Sequence, residues 1–304
     1  MRFKETLYQA PDVDLHLLES KFVAQTFHIR VVQPASRIGG SERFPVVYAT
    51  DSDDFLGGFA TLAKSLQFHG ETPRFILVGI GYENARTAAV SRMRDFLTSA
   101  IRARFQSNIQ QFTDSPWIGG VVDLEQVTQT TGAAEFLQFI RDELRPLVAA
   151  RYPVIPGDDT YFGYSAGGAF GLYTLFTQPD TFKRYVLGSP ATSYDGEHFG
   201  IELVESFLAT RRPMSARVFM SVGELEEFKS GFGKFDLVSG WALLAKFLKQ
   251  AAIPGLDLTL QIFPGETHAT AWAAAFSRGL KAVLGPVEAV PFWPTYMQPA
   301  RRRF

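Results

Sequence analysis

Short apolar runs, each bounded by turn residues, alternate along this chain with stretches of helical period, and that alternation is what most narrows its fold. The runs are TFHIRVVQP from residue 26, FPVVYAT from 44, RFILVGIG from 74, TYFGYS from 160, RYVLGS from 184, ARVFMSV from 216 and LDLTLQIF from 256. Their length and apolar character predict strands. The later ones are almost continuously apolar, as strands covered on both faces are. Between them lie FLGGFATLAKSLQF, AAEFLQFIRDELRPLVAARY, AGGAFGLYTLFTQ, GWALLAKFLKQAA and AWAAAFSRGLKAVL, where apolar residues recur at helical spacing. The pattern predicts an α/β protein with a mostly parallel central sheet and helices on both faces. A chain of 304 residues that is 46% apolar can bury one large core, and we read residues 1–304 as a single domain.

Two segments break the alternation. Residues 106–132, QSNIQQFTDSPWIGGVVDLEQVTQTTG, are polar and glutamine-rich, and read as an insertion or lid loop. Residues 286–304 are broken by proline and end in RRRF, which reads as a surface-packed or disordered tail. Lys plus Arg (30) nearly balance Asp plus Glu (31), so no global field draws the protein to nucleic acid or an anionic membrane. With no cysteine, disulfides, thiolate metal sites and cysteine nucleophiles are excluded. The first residues lack the apolar core of a signal peptide, and nowhere do eighteen uninterrupted apolar residues occur. The expected location is therefore the cytoplasm. No feature of the sequence speaks to oligomeric state.

The stretch YFGYSAGGAF, residues 161–170, sets Ser165 between Gly163 and Gly167. Roughly 0.13 accidental G-x-S-x-G matches are expected in such a chain, so context has to decide. Here a strand-like run precedes the serine and a helix-like run follows it, the setting of a nucleophile elbow. Such a turn exposes Ser165 Oγ at the carboxyl edge of the sheet and puts the Ala166 amide at a helix N-terminus, where a developing oxyanion is favoured. The alternative, a glycine-rich turn that packs or cradles phosphate, lacks the Gly-Lys-Ser/Thr ending and the G-x-G-x-x-G spacing of phosphate loops.

A serine hydroxyl needs an adjacent base, and histidine has the suitable pKa. Of five histidines, only His198 and His268 follow Ser165, as the chain order of the elbow fold requires. His268 lies in IFPGETHATAW, directly after the last predicted strand and before the last helix, where the base is expected. The acid belongs after the preceding strand, and GELEEF offers Glu224, Glu226 and Glu227. The strand end does not choose among them. A second oxyanion amide is expected after an early strand, in VVYATDSDDFLGG, from Ser52 or Asp53. Asp51 and Asp53 also read as turn and N-cap residues for a helix starting near Phe55.

Taken together, FPVVYATDSDDF, FILVGIGYEN, RMRDFLTS, YFGYSAGGAFGLYTLFTQPDTFKRYVLGSPA, FMSVGELEE and GETHATAW resemble the esterase family of α/β-hydrolases that groups enterobactin-type siderophore esterases, S-formylglutathione hydrolases and antigen 85 mycolyltransferases. The likeness is nearest to the siderophore esterase branch and spans about residues 25–280. It implies an α/β-hydrolase fold with Ser165 as nucleophile, His268 as base and Glu226 as acid, the family's acid standing three residues after the glycine, here Gly223, with Glu224 as fallback. It also implies Ala166 and Asp53 as oxyanion amides. RMRDFLTS departs from the family pattern by carrying Ser99 where proline is usual.

For substrate binding, Arg86, Arg92, Arg94, Arg102 and Arg104 crowd into nineteen residues and could draw in an anionic ester, or form the wet face of a helix near 90–105. We single out Arg92. Phe228, followed by Phe232 and Phe235 in a glycine-interrupted run, reads as an apolar rim, and Trp272 beside the base as pocket lining or core. The expected function is a serine esterase acting on a small-molecule ester or lactone, with no metal or organic cofactor. Transfer of the same acyl group to an alcohol or amine, and a catalytically silent binding protein, are the alternatives.

Overall fold

The computed structural model describes residues 13–34, 42–83, 85–98, 132–194, 196–229 and 235–286. Eight strands form one sheet: β1 (Val13–Glu19), β2 (Thr26–Val32), β3 (Phe44–Ala49), β4 (Ile76–Tyr82), β5 (Val154–Tyr164), β6 (Arg184–Gly188), β7 (Ala216–Gly223) and β8 (Leu256–Phe263). Their spatial order is β1-β2-β4-β3-β5-β6-β7-β8. The pairs β1–β2 and β2–β4 are antiparallel, and every pair from β4–β3 to β7–β8 is parallel. The helices among the described residues are α1 (Ser52–Phe68), α2 (Ala85–Phe96), α3 (Ala133–Phe139), α4 (Arg145–Arg151), α5 (Ala166–Thr177), α6 (Phe199–Thr210), α7 (Glu226–Lys229), α8 (Ser239–Ala251) and α9 (Ala271–Leu284).

Alternation of side chains along each strand divides the core in two. On β3, Val46 and Tyr48 join the face covered by α3 to α6 and α8, whereas Val47 and Ala49 join the face covered by α1 and α9. Phe59 of α1 stacks on Phe276 of α9 at 4.6 Å, both fully buried. Burying one such ring stabilises by about 1.5–3 kcal/mol before the entropy of ordering is counted.

All seven sequence-predicted strands are present. β5 starts at Val154, ahead of the apolar run, because the exposed Ile155-Pro156-Gly157 and the two aspartates after them interrupt the apolar pattern within the strand. β1 is an unpredicted eighth strand: an edge strand whose Leu15 and Leu17 are 56% and 61% exposed, so burial left no apolar stripe to read. The predicted helix over 133–152 is interrupted by a π turn at Ile140–Leu144. Pro146 has no N–H for the regular ladder, and the Arg145 amide reaches back to the Ile140 carbonyl instead. The helix expected near 90–105 ends at Phe96. Apart from Gly132 and Pro286, segments 106–132 and 286–304 fall outside the described residues. No helix among the described residues is long and apolar enough to cross a membrane.

Candidate active site

β5 runs directly into α5 through Ser165, whose backbone adopts φ +58° and ψ −120°. A residue with a Cβ enters that region only under constraint. The constraint is visible: the Ser165 amide donates to the Gly188 carbonyl at 3.0 Å, and its own carbonyl accepts the amides of Ala169 and Ala191 at 3.0 and 3.2 Å. Glycine is required on each side because a Cβ on Gly163 would collide with the Gly167 carbonyl, and one on Gly167 would come within 2.6 Å of Thr50 Oγ1. Ser165 is half-buried at the carboxyl end of the sheet, and Ala166 is the first residue of α5.

The three glutamates after β7 have separate partners. Glu224 Oε2 accepts the Gly265 amide at 2.8 Å and braces the turn after β8. Glu227 accepts the amides of Val238 and Ser239 at 3.0 and 2.7 Å, capping the start of α8. Glu226 is fully buried, and its Oε2 lies 2.6 Å from His268 Nδ1. A carboxylate only accepts, so Nδ1 carries the proton in that bond. Its Oε1 accepts the Gly223 amide at 2.6 Å and the Ser189 hydroxyl at 2.5 Å.

His268 sits between β8 and α9, and its side chain is 13% exposed. The turn that carries it is held by Ala271 N–H donating to the Thr267 carbonyl at 2.9 Å, and by Thr267 N–H donating to Thr270 Oγ1 at 3.0 Å. Tyr164, the neighbour of Ser165, donates its hydroxyl to the His268 carbonyl at 2.9 Å, and the two rings lie 5.0 Å apart. Burial, reinforced by the negative charge of Glu226, pushes the Tyr164 phenol far above its ordinary pKa, so it stays a donor. Residues 165, 226 and 268, a hundred positions apart in sequence, thus stand beyond the carboxyl ends of β5, β7 and β8, on the same side of the sheet. The β7 and β8 turns are joined further by Glu224 N–H to the Phe263 carbonyl at 3.0 Å and Leu225 N–H to the Glu266 carbonyl at 2.9 Å.

The loop after β3 differs from expectation. α1 begins at Ser52 rather than near Phe55, and Asp51 precedes it in a left-handed conformation with φ +59° and no side-chain cap. The Asp51 carboxylate is taken instead by Arg92, through Nε at 2.7 Å and a second nitrogen at 3.2 Å. Nor does Asp53 cap the helix: its carboxylate accepts Arg30 at 2.7 Å and the Tyr82 amide at 2.6 Å. The amides of Asp54 and Phe55 turn back to the Asp51 carbonyl at 3.3 and 3.2 Å. Those of Ser52 and Asp53 head the helix, as an oxyanion donor must. Gly167, one residue beyond Ala166, approaches this loop at Thr50 and Asp51.

The expected substrate-binding residues fare less well. Arg92, expected to collect an anion, pairs with Asp51 at 2.7 Å and lies over the Phe96 ring at 5.4 Å. Burial opposes its charge, but Asp51 more than offsets that and raises its pKa. Arg94 is likewise bound, to Asp95 at 2.6 Å and Gln25 at 2.7 Å. The side chains of Arg86, Arg102 and Arg104, and that of Phe228, lie outside the described residues, as does Phe232. Phe235 packs on Tyr194 at 5.2 Å. Trp272 rests on Gly58 and beside Phe55 and Phe59 of α1, at 5.0 and 5.8 Å, and is partly buried in the packing of α1 against α9. Ser189 was not singled out by sequence reasoning, since a serine closing RYVLGS carries no signal of the distant carboxylate it binds.

Comparison with known proteins bears on this arrangement. The family model described as "Putative esterase" matches residues 110–283, more than half of the chain. The chain belongs to this esterase family. It is 25% identical over 287 residues to ferri-bacillibactin esterase BesA of Bacillus subtilis, covering 92% of both chains. Among solved structures it matches the BES protein from Bacillus cereus with a TM-score of 0.72 at 23% identity, over 93% of this chain and 98% of that one. It also matches the siderophore hydrolase EstB from Aspergillus nidulans with a TM-score of 0.74 at 20% identity, over 93% of this chain and all of that one. The fold is that of the α/β-hydrolase esterases.

Proposed function

We propose that this esterase-family protein hydrolyses a carboxylic ester or lactone of siderophore type through an acyl-serine intermediate. The observation that carries the reading is the 2.6 Å bond between buried Glu226 and His268 on loops that adjoin the strained Ser165 turn. With the proton on Nδ1 held by Glu226, the neutral imidazole keeps its lone pair on Nε2, and this nitrogen takes the Ser165 proton as Oγ attacks the ester carbonyl. The amides of Ala166 and Asp53 stabilise the oxyanion, a contribution of about 10²–10³ in rate for one such donor. His268 then protonates the leaving alcohol, and water, activated by the same nitrogen, releases the acid. Glu226 holds the tautomer and stabilises the imidazolium without itself being protonated. Likeness to ferri-bacillibactin esterase over nearly the whole chain supports the siderophore-type substrate.

A turnover screen with short-chain aryl esters, acyl thioesters and siderophore lactones tests the proposal, with Ser165→Ala as control and mass spectrometry after fluorophosphonate labelling. We expect ester or lactone turnover and a single adduct on Ser165. Equal turnover by the alanine variant would overturn the reading.

A further inference from the structure

Ser189 is a second residue of this region held in an unfavourable backbone conformation. It follows β6, is 1% exposed, and has φ +42°. A non-glycine residue keeps such a conformation only where its surroundings over-determine it. Here the amide donates to the Ser221 carbonyl on β7 at 2.7 Å, and the hydroxyl donates to Glu226 Oε1 at 2.5 Å. The Gly223 amide reaches the same oxygen at 2.6 Å. With Oε1 engaged twice, Oε2 is the oxygen presented to His268 Nδ1. Satisfying a buried hydroxyl does not dictate this arrangement, because Ser221, equally buried on the adjacent strand, has no hydrogen-bond partner for its own.

We infer that Ser189 is a positioning residue whose hydroxyl locks the Glu226 carboxylate in the rotation that faces His268. The inference rests on the roles proposed above for Ser165, Glu226 and His268. Ser189 acts through Glu226, donating one hydrogen bond to the oxygen that His268 does not use, beside a Tyr164 hydroxyl that shares side-chain hydrogen bonds with both Ser189 and Glu226. Without it the carboxylate can turn about its Cγ–Cδ bond, and the imidazolium formed during turnover loses part of its aligned partner.

The test compares Ser189→Ala and Ser189→Gly with the unaltered protein and with Ser165→Ala, on an aryl ester and with a fluorophosphonate. Both Ser189 variants remove the hydroxyl. Glycine also relieves the backbone, so it serves where the alanine variant fails to fold. We expect kcat to fall about 10- to 100-fold in both with KM within about twofold. The far-downfield proton resonance of the His268–Glu226 bond should broaden or disappear in one-dimensional NMR. A purely structural role would lower the melting temperature and leave kcat and that resonance alone. Unaltered kcat and an undisturbed resonance in the folded glycine variant, with Ser165→Ala inactive, would overturn the inference and leave the serine mechanism standing. Full turnover by Ser165→Ala, or no adduct on Ser165, would overturn both.

Discussion

The two sides of the candidate site use carboxylates in opposite ways. On the β3–α1 side, Asp51 and Asp53 are each met by an arginine, Arg92 and Arg30, both at 2.7 Å, so their charges are neutralised and their work is to hold a loop. On the β7–β8 side, Glu226 is more deeply buried, and its carboxylate meets an amide, a hydroxyl and an imidazole. Burying a carboxylate without a cation is costly unless hydrogen bonds replace its water. In the proposed mechanism those bonds leave its negative charge available to an imidazole that becomes positive in the transition state. A charge spent on an arginine fixes a backbone, whereas a charge met by neutral donors can still serve chemistry.

The comparison can be broken or sharpened by substitution. The largest effect is expected for Ser165→Ala, which should reduce turnover by about 10⁴-fold or more while circular dichroism and melting temperature stay unchanged. Next is Glu226→Gln, which keeps shape and removes charge. Steady-state kinetics should give a kcat about 10³-fold lower with little change in KM, and a loss under threefold would place the functional charge elsewhere. On the opposite side, Arg92→Met leaves the Asp51 carboxylate buried without its partner. Urea unfolding should register about 2 kcal/mol of lost stability, partly restored in the Arg92→Met/Asp51→Asn double variant. Without that restoration the pair would not be a coupled clamp. The smallest effect belongs to Glu224→Gln, whose amide oxygen can still accept from Gly265: turnover within about twofold, measured on the same ester.

Much of this was legible from residue order. The strands of the parallel core are readable because both of their faces are buried, so nearly every position is apolar. β1 is not, because an exposed edge strand is held by main-chain bonds that any residue can make. Ser165 and His268 were singled out by motif and chain order, since an elbow and a post-strand turn are local features. Glu226 could not be separated from its neighbours by spacing alone: Glu224 stands in the turn before α7 and Glu226 and Glu227 open that helix, so which of them faces inward is a matter of side-chain direction rather than composition. The pairing of Arg92 with Asp51 was hidden for a related reason. A cluster of arginines looks like a surface field until the partner forty-one positions earlier is seen.

The stitching of the β7 and β8 turns has one more consequence. Because Glu224, Leu225 and Gly265 lace these turns together by main-chain donors, Glu226 and His268 ride on one small platform, and Tyr164 rivets that platform to the strand that leads into Ser165. Under the proposed mechanism an arriving ester finds these two groups already mutually ordered, so the entropy lost on reaching the transition state falls mainly on the substrate.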